Sequence, residues 1–136
     1  MKISFPYEEK PSLVFGKILR PVVKAKIWSP PFKNWLEYTF IVDTGADYTI
    51  MPKSFSFDFG INLETNCTKY SSKGIGGTEV VYFFEKGLRF TIGKWARLVP
   101  VGFLTKDDIP PLLGRKACLD NLDICFKDLE TIITTN

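Results

Sequence analysis

Short segments rich in β-branched and aromatic residues recur along the chain, and Pro or Gly separates many of them. Such segments are typical of β-strands, because branched and aromatic side chains pack well on a pleated surface. The pattern predicts strands over residues 13–19, 22–28, 37–42, 48–51, 88–92, 96–103, 123–126 and 131–133. Many short strands of this kind indicate a small, all-β, mostly antiparallel and barrel-like fold.

A glycine cluster lies between two further strand-like segments, residues 69–72 and 79–84. Gly74, Gly76 and Gly77 can adopt the positive φ angles that a tight connection requires. The segment is therefore predicted to form a β-hairpin with the glycines at its tip. An ordinary surface hairpin is one interpretation of this feature, and a functional one follows below.

Helical signals are confined to two short segments. Pro52 precedes residues 53–59 and Gly60 follows them, as at the two ends of a short helix. A second short helix is predicted over residues 115–119. The segment 28–35 contains Pro30, Pro31 and two tryptophans, and it is predicted to be an inserted loop that covers the core or touches a partner or substrate.

Size and charge restrict the class of protein. A chain of 136 residues predicts one domain, residues 1–136, and its 45% hydrophobic and 24% charged residues are typical of a globular protein. The net charge of +3 comes from scattered residues, so no nucleic-acid surface is expected. The sequence shows neither a signal peptide nor an apolar run of the roughly 18 residues that span a membrane, so we expect a cytoplasmic protein.

The chain contains no histidine. This excludes the Ser-His-Asp and Cys-His mechanisms, and it removes the zinc sites that use His ligands. Cys67, Cys118 and Cys125 are odd in number and form no metal-binding pattern, so we expect reduced thiols and no metal or organic cofactor. Carboxylates, lysines or backbone groups must then perform any catalysis.

Asp43 is the most conspicuous polar residue, because it follows the apolar run Phe40-Ile41-Val42 directly. A carboxylate at the end of a buried strand is costly unless it is hydrogen-bonded or functional. Thr44 and Gly45 complete an Asp-Thr-Gly triplet, and Gly45 can let the backbone turn and approach closely. The triplet alone is also a plain turn signal, since Asp and Gly are common turn residues.

The segment 40–52 resembles the active-site loop of retropepsin-like aspartic proteases, which has an apolar strand, Asp-Thr-Gly-Ala and a second apolar strand. Residues 111–115 (Pro-Leu-Leu-Gly-Arg) resemble the apolar-apolar-Gly-Arg segment of that family, and residues 121–126 resemble the strand that follows it. The glycine cluster lies where the family carries its flap. Together these elements cover roughly residues 36–128, and they imply the retropepsin-like fold and an aspartic endopeptidase.

The resemblance also implies roles for individual residues. Asp43 would be the catalytic carboxylate, Thr44 would brace two such loops against each other, and Gly45 would present its carbonyl to the substrate. The residues implied to bind substrate are Ala46, Asp47, Gly74, Ile75, Gly76, Gly77, Leu112, Leu113 and Arg115. Asp47 is expected to pair with Arg115, either as part of the site or as a structural ion pair. Leu112, Leu113, Val99 and Val101 suggest apolar subsites.

The triplet occurs once, so one chain supplies one catalytic carboxylate. Two carboxylates about 3 Å apart share one proton, and hydrolysis of this type needs one ionised and one protonated group. The resemblance therefore implies a symmetric homodimer in which Asp43 of each subunit meets on the two-fold axis, with a peptide or protein as substrate. The alternative is a dimerisation or peptide-binding module of the same fold, in which Asp43 is only a turn residue.

Overall fold

The computed structural model describes residues 1–74 and 77–135. The strands are β1 Lys2–Pro6, β2 Glu8–Ser12, β3 Gly16–Arg20, β4 Val22–Ser29, β5 Asn34–Val42, β6 Thr49–Pro52, β7 Thr68–Gly74, β8 Gly77–Ile92, β9 Trp95–Leu104, β10 Leu112–Leu113, β11 Asp123–Lys127 and β12 Glu130–Thr134. A short helix α1 spans Leu63–Asn66, and 3₁₀ helices span Lys53–Phe59 and Leu119–Asn121. None of the helices in these ranges is long and apolar enough to cross a membrane.

Six strands form a barrel-like ring. Their order is β4-β5-β10-β6-β9-β8, and β8 also pairs with β4, while β7 pairs with β8 outside the ring. Most pairings are antiparallel, but β10 runs parallel to β5 and β6 runs parallel to β9. The predicted all-β, barrel-like fold with a few short helices is confirmed.

The ring encloses an apolar core that follows the alternation of each strand. In β4 the side chains of Val23, Ala25 and Ile27 are fully buried, whereas Lys24 and Lys26 between them are exposed. Burying one large apolar side chain contributes about 1.5–3 kcal/mol, so this face drives the closure of the ring. Other fully buried core residues are Phe40, Met51, Phe90, Ile92, Phe103 and Leu113.

The two ends of the chain pair with each other. A second sheet has the order β1-β12-β11, with β12 in the centre. The Met1 ammonium group donates to the Thr135 carbonyl at 2.7 Å, and the Thr135 N–H donates to the Met1 carbonyl at 2.9 Å. The first residues of the chain, to which no strand was assigned from sequence, therefore form a strand that pairs with β12 of the same subunit.

The glycine-rich hairpin and the first short helix are confirmed. β7 and β8 pair antiparallel up to Gly74 and Gly77. Residues 53–59 form a 3₁₀ helix that ends at Gly60 with φ +66°. The two strands predicted over residues 79–84 and 88–92 are parts of the single strand β8, whose register against β9 shifts between Phe84 and Leu88.

Residues 13–15 were wrongly predicted as the start of a strand. They form the exposed turn between β2 and β3, and the Ser12 hydroxyl accepts hydrogen bonds from Val14 N–H at 3.3 Å and Phe15 N–H at 3.1 Å. These local bonds favour a turn, and Gly16 completes it with φ +78°. β3 therefore begins only at Gly16.

Residues 28–35 are not an inserted loop. β4 and β5 continue through this segment as a hairpin, and Trp28 lies opposite Trp35. The two indole rings meet edge to face with centroids 5.5 Å apart, and cross-strand aromatic pairs of this kind stabilise hairpins. Only residues 30–33 form the turn, so β4 ends directly before Pro30 as expected, but β5 begins at Asn34 and not at residue 37.

The helix predicted over residues 115–119 is also wrong. Residues 115–118 form tight turns, and the 3₁₀ helix begins only at Leu119. Ala117 has φ +56°, and a left-handed residue cannot continue a right-handed helix. In addition, the N–H groups of Arg115 and Lys116 donate to carbonyl groups of the Asp43 loop, so tertiary contacts determine this segment.

Candidate active site

The central feature is the position of β10 between β5 and β6. Leu113 pairs with Val42 of β5, and Leu112 pairs with Ile41 of β5 and Ile50 of β6. The end of β5 and the beginning of β6 therefore lie on the two sides of one short strand. The connecting loop, residues 43–48, must pass around the end of β10, and Asp43 is its first residue.

Backbone hydrogen bonds hold the first half of this loop. The Asp43 N–H donates to the Leu113 carbonyl at 3.0 Å, and the Ala46 N–H donates to the Asp43 carbonyl at 3.1 Å. The Gly45 N–H donates to Oδ1 of Asp43 at 3.0 Å, which orients the carboxylate. Asp43 is half-buried, whereas Thr44 and Gly45 are exposed. Within the described ranges, Oδ2 of Asp43 accepts no hydrogen bond and can serve an incoming group.

Gly45 is not needed for an unusual backbone angle, because its φ is not positive. A Cβ atom at this position would lie 3.4 Å from Oδ1 of Asp43, which is ordinary contact. Because glycine has no side chain, the surface beside the Asp43 carboxylate stays uncovered. That Gly45 allows a close approach of the backbone stays a prediction, and its backbone angle does not require glycine.

A buried hydrogen bond between Gly114 and Thr49 supports the loop on its core side. The sequence had not indicated a supporting role for either residue. The Gly114 N–H donates to Oγ1 of Thr49 at 3.1 Å, and Thr49 is fully buried. A Cβ atom on Gly114 would collide with the Tyr48 carbonyl and lie 2.8 Å from the Thr49 nitrogen. No local sequence pattern could have predicted this contact, because its partners are 65 positions apart in the chain.

The predicted pair of Asp47 and Arg115 is present. Nη2 of Arg115 lies 2.6 Å from Oδ1 of Asp47, with 47% of the Arg115 side chain and 80% of the Asp47 side chain exposed. An exposed ion pair contributes only about 0–1 kcal/mol to stability. The Arg115 and Lys116 N–H groups also donate to the carbonyls of Ala46 and Asp47, at 3.0 and 2.9 Å, and so dock the loop independently of the side chains.

Tyr48 connects the loop with the hairpin, and sequence reasoning missed it. Its ring meets Phe83 of β8 edge to face with centroids 5.0 Å apart, and Phe83 in turn faces Tyr70 of β7. Burial raises the pKa of Tyr48, and the nearby carboxylates of Asp47 and Glu79 raise it further. A chain of aromatic rings therefore joins the Asp43 loop to the base of the hairpin.

The residues predicted to bind substrate differ in accessibility. Leu112 is half-buried, but Leu113, Val99 and Val101 are fully buried in the core and present no side chain to a ligand. They cannot form subsite walls because they pack inside the ring.

The predicted flap tip is described only in part. Gly74 lies opposite Gly77 at the end of the β7–β8 hairpin. Ile75 and Gly76 lie outside the described residues. Their predicted contacts with substrate therefore stay predictions.

No cluster suited to a metal ion is found in the described part of the chain, where groups of three or more Cys, Asp and Glu side chains do not converge. The site instead combines one oriented carboxylate, an exposed loop backbone and an aromatic connection to a hairpin.

Comparisons with known proteins agree with this arrangement. The family model described as aspartyl protease matches residues 32–117, which include β5, the Asp43 loop and β10. The fold is similar to the crystal structure of a retropepsin-like aspartic protease from Rickettsia conorii, with a TM-score of 0.65 and 17% sequence identity over 97% of this chain and 98% of that one. A search of curated protein sequences gave no significant match. The chain belongs to the aspartyl protease family and has the retropepsin-like fold.

Proposed function

We propose that the protein is an aspartic endopeptidase that works as a homodimer, with Asp43 of each subunit forming the catalytic pair. The observation that carries the proposal is the geometry of the Asp43 loop in a chain that belongs to the aspartyl protease family. The Gly45 N–H holds one oxygen of the Asp43 carboxylate, and the Asp43 side chain is half-exposed. One chain contains one such loop, so a second copy is needed for a pair.

The chemistry follows from two carboxylates that share one proton. The ionised Asp43 takes a proton from water as the water oxygen attacks the carbonyl carbon of the peptide bond. The protonated Asp43 of the other subunit donates its proton to the carbonyl oxygen. The mechanism therefore needs one ionised and one protonated Asp43 in the same dimer.

The substrate would be an extended peptide. In the described part of the chain β7 pairs only with β8, so the hairpin has a free edge, and Tyr70 of β7 is linked through Phe83 to Tyr48 of the Asp43 loop. An extended peptide can add to such an edge through backbone hydrogen bonds. Asp47 and Gly45 are exposed on the loop. The Asp47 carboxylate and the Gly45 carbonyl can therefore accept hydrogen bonds from the substrate backbone.

The test is cleavage of a diverse unstructured peptide mixture, read by mass spectrometry at high protein concentration and mildly acidic pH. We expect the wild-type protein to cleave, and Asp43→Asn to lose at least about a hundredfold in rate, since a general base contributes 10²–10⁴-fold. Asp108→Asn is the matched control, because Asp108 is exposed and lies outside the loop. Equal cleavage by Asp43→Asn would refute the assignment, and no cleavage by any variant would favour a peptide-binding module.

A further inference from the structure

The hairpin of β2 and β3 ends in three large apolar side chains that solvent reaches. Leu13, Val14 and Phe15 form its turn, and their exposed fractions are 107%, 81% and 76%. In the described ranges β2 and β3 pair only with each other, so this hairpin belongs neither to the ring nor to the sheet of the chain ends. Single exposed apolar side chains are ordinary, but three in succession indicate a contact surface. These three residues form the apolar tip.

The backbone of the apolar tip already has hydrogen-bond partners. The Ser12 hydroxyl oxygen accepts from the Val14 N–H at 3.3 Å and from the Phe15 N–H at 3.1 Å. Pro11, directly before Ser12, has no N–H that needs a partner. A backbone donor that enters hydrocarbon without a partner is costly. The turn can therefore leave water with both of these donors satisfied.

The charged residues of the hairpin are ordered by their distance from the apolar tip. Lys17 and Lys10 lie one and two residues from the end of the β2–β3 ladder, whereas Glu9 and Glu8 lie three and four residues from it. A strand rises about 3.4 Å per residue, so both lysines lie within about 7 Å of that end and the glutamates lie about 10–14 Å from it. The cations therefore stand between the apolar tip and the carboxylates.

The two lysines are free to meet another anionic partner. Each is near a glutamate of the same hairpin, with Lys10 Nζ 3.5 Å from Glu8 and Lys17 Nζ 3.7 Å from Glu9. All four side chains are at least 42% exposed, and exposed ion pairs of this kind contribute little. The long lysine side chains can thus turn from the glutamates toward anions near the tip.

The surface of a lipid bilayer that contains anionic lipids fits this order of groups. Apolar side chains of surface-bound proteins enter the boundary between headgroups and acyl chains, about 5–10 Å deep. Lysines that lie at a similar distance behind them meet the anionic headgroups. A groove or flat face of a protein would cover the apolar tip from one side only, whereas acyl chains can surround all three exposed side chains.

We propose that the apolar tip inserts into the interface of a bilayer that contains anionic lipids, and that Lys10 and Lys17 bind the headgroups. Only three residues enter the bilayer, so no spanning segment is needed. The hairpin continues through Pro21 into β4, so insertion of the tip would hold the ring at the membrane surface. None of these residues belongs to the Asp43 loop, and membrane binding is therefore independent of the proposed function.

Flotation of the full chain with vesicles of phosphatidylcholine and phosphatidylserine tests the apolar tip. We expect the wild-type protein to bind and Phe15→Ser to lose at least about tenfold in affinity, because the phenyl ring no longer leaves water. Phe57→Ser is the matched control, since Phe57 is 79% exposed but lies in the 3₁₀ helix Lys53–Phe59. A wild-type protein that is folded by circular dichroism but does not bind, or equal affinities of the two variants, would overturn the proposal in favour of a protein partner.

Fluorescence distinguishes insertion from contact with the surface. Phe15→Trp adds an indole ring to the apolar tip, Phe57→Trp adds one elsewhere, and the three native tryptophans are common to both. With vesicles we expect the emission of Phe15→Trp alone to shift to shorter wavelength and to be quenched by bromine on the acyl chains. Binding without this quenching would refute insertion of the tip.

Charge reversal tests the role of the lysines. We expect Lys17→Glu to lose roughly tenfold in affinity for the anionic vesicles at low salt, and Lys17→Arg to bind like the wild-type protein. Lys94→Glu changes the net charge equally at an exposed residue of the β8–β9 turn and should lose much less. Equal losses in the two Glu variants would refute headgroup binding by Lys17.

Membrane binding and peptidase activity can fail separately. Asp43→Asn should bind the vesicles like the wild-type protein, because Asp43 lies outside the hairpin. Vesicle binding by a wild-type protein that cleaves no peptide would contradict only the peptidase assignment. Cleavage by a wild-type protein that binds no vesicles would overturn only the insertion of the apolar tip.

Discussion

At the scale of single residues, the Asp43 loop depends on the buried hydroxyl group of Thr49. Thr49 is fully buried and its Oγ1 accepts the Gly114 N–H, so this bond fixes β10 against the loop that it supports. A buried donor without a partner costs about 1–3 kcal/mol. Thr49 thus helps to position the Asp43 carboxylate, although Thr49 itself takes no part in the reaction.

Thr49→Val removes this acceptor and keeps the size and branching of the side chain. We expect the free energy of unfolding to fall by about 1–3 kcal/mol, because the Gly114 N–H is left buried and unpaired. Denaturant unfolding measures this change. Thr91→Val is the matched control, since the Thr91 hydroxyl makes only a long, exposed bond of 3.5 Å to the Lys26 carbonyl, and its change should stay within about 0.5 kcal/mol. Equal losses in both variants would contradict the role of Thr49.

A second residue, Cys118, links stability to alkaline pH. Burial raises the pKa of its thiol from 9.0 to about 12. Between these values the thiol ionises in the unfolded chain but stays protonated in the folded one, so the folded state loses stability as pH rises. The full contribution is present below pH 9, and the loss is at most about 1.4 kcal/mol per pH unit.

Cys118→Ala should therefore flatten the fall of stability between pH 9 and pH 11, although the variant is less stable at pH 7 because of the cavity. Urea unfolding at several pH values, in the presence of reductant, measures the slope. Cys125→Ala replaces an exposed thiol and should leave the slope unchanged. A wild-type slope in Cys118→Ala would show that other groups, such as Tyr38 and Tyr48 with their raised pKa values, dominate.

At the scale of elements, the long strand β8 pairs with three other strands, and one glycine lies where its pairing changes. Gly87 has φ +82° where the register between β8 and β9 shifts. The first part of β8 pairs with β7 and β9, and the last part pairs with β9 and also with β4, which closes the ring. This register shift therefore allows β8, which forms the hairpin with β7, to continue as a strand of the ring that encloses the core.

Gly87→Ala should destabilise the protein more than Gly16→Ala. Both glycines have positive φ, so both variants lose about 1 kcal/mol to backbone strain. A Cβ atom on Gly87 would in addition lie 3.1 Å from the Val99 backbone, whereas one on Gly16 meets nothing within 4 Å. We expect about 1–2 kcal/mol of further loss for Gly87→Ala in thermal or denaturant unfolding. Equal losses would mean that the strand shifts to accept the methyl group.

At the scale of the whole molecule, the proposed catalytic pair requires two copies. Specific activity should then rise with protein concentration, because a single subunit provides one carboxylate. Mixing wild-type protein with an equal amount of Asp43→Asn and allowing exchange leaves about one quarter of the dimers with two Asp43 carboxylates. We expect activity to fall below the one half that simple dilution gives. Activity of one half after complete exchange would indicate that one subunit suffices.

The sequence alone determined the local features of this protein. Alternating apolar residues predicted most strands, the glycine cluster predicted the β7–β8 hairpin, and Pro52 with Gly60 predicted the helical turns between them. The lack of histidine and the Asp-Thr-Gly triplet directed attention to Asp43. These features are readable because strand alternation, turn conformation and side-chain chemistry depend on residues that are adjacent in the chain.

The tertiary structure alone decided how those elements meet. Insertion of β10 between β5 and β6, the support of Gly114 by Thr49 and the pairing of the chain ends join residues far apart in sequence. Hydrogen bonds to the Asp43 loop also overrode the local helix signal after Gly114. A local pattern cannot predict such outcomes, because the free energy gained by pairing and burial depends on a partner that the pattern does not contain.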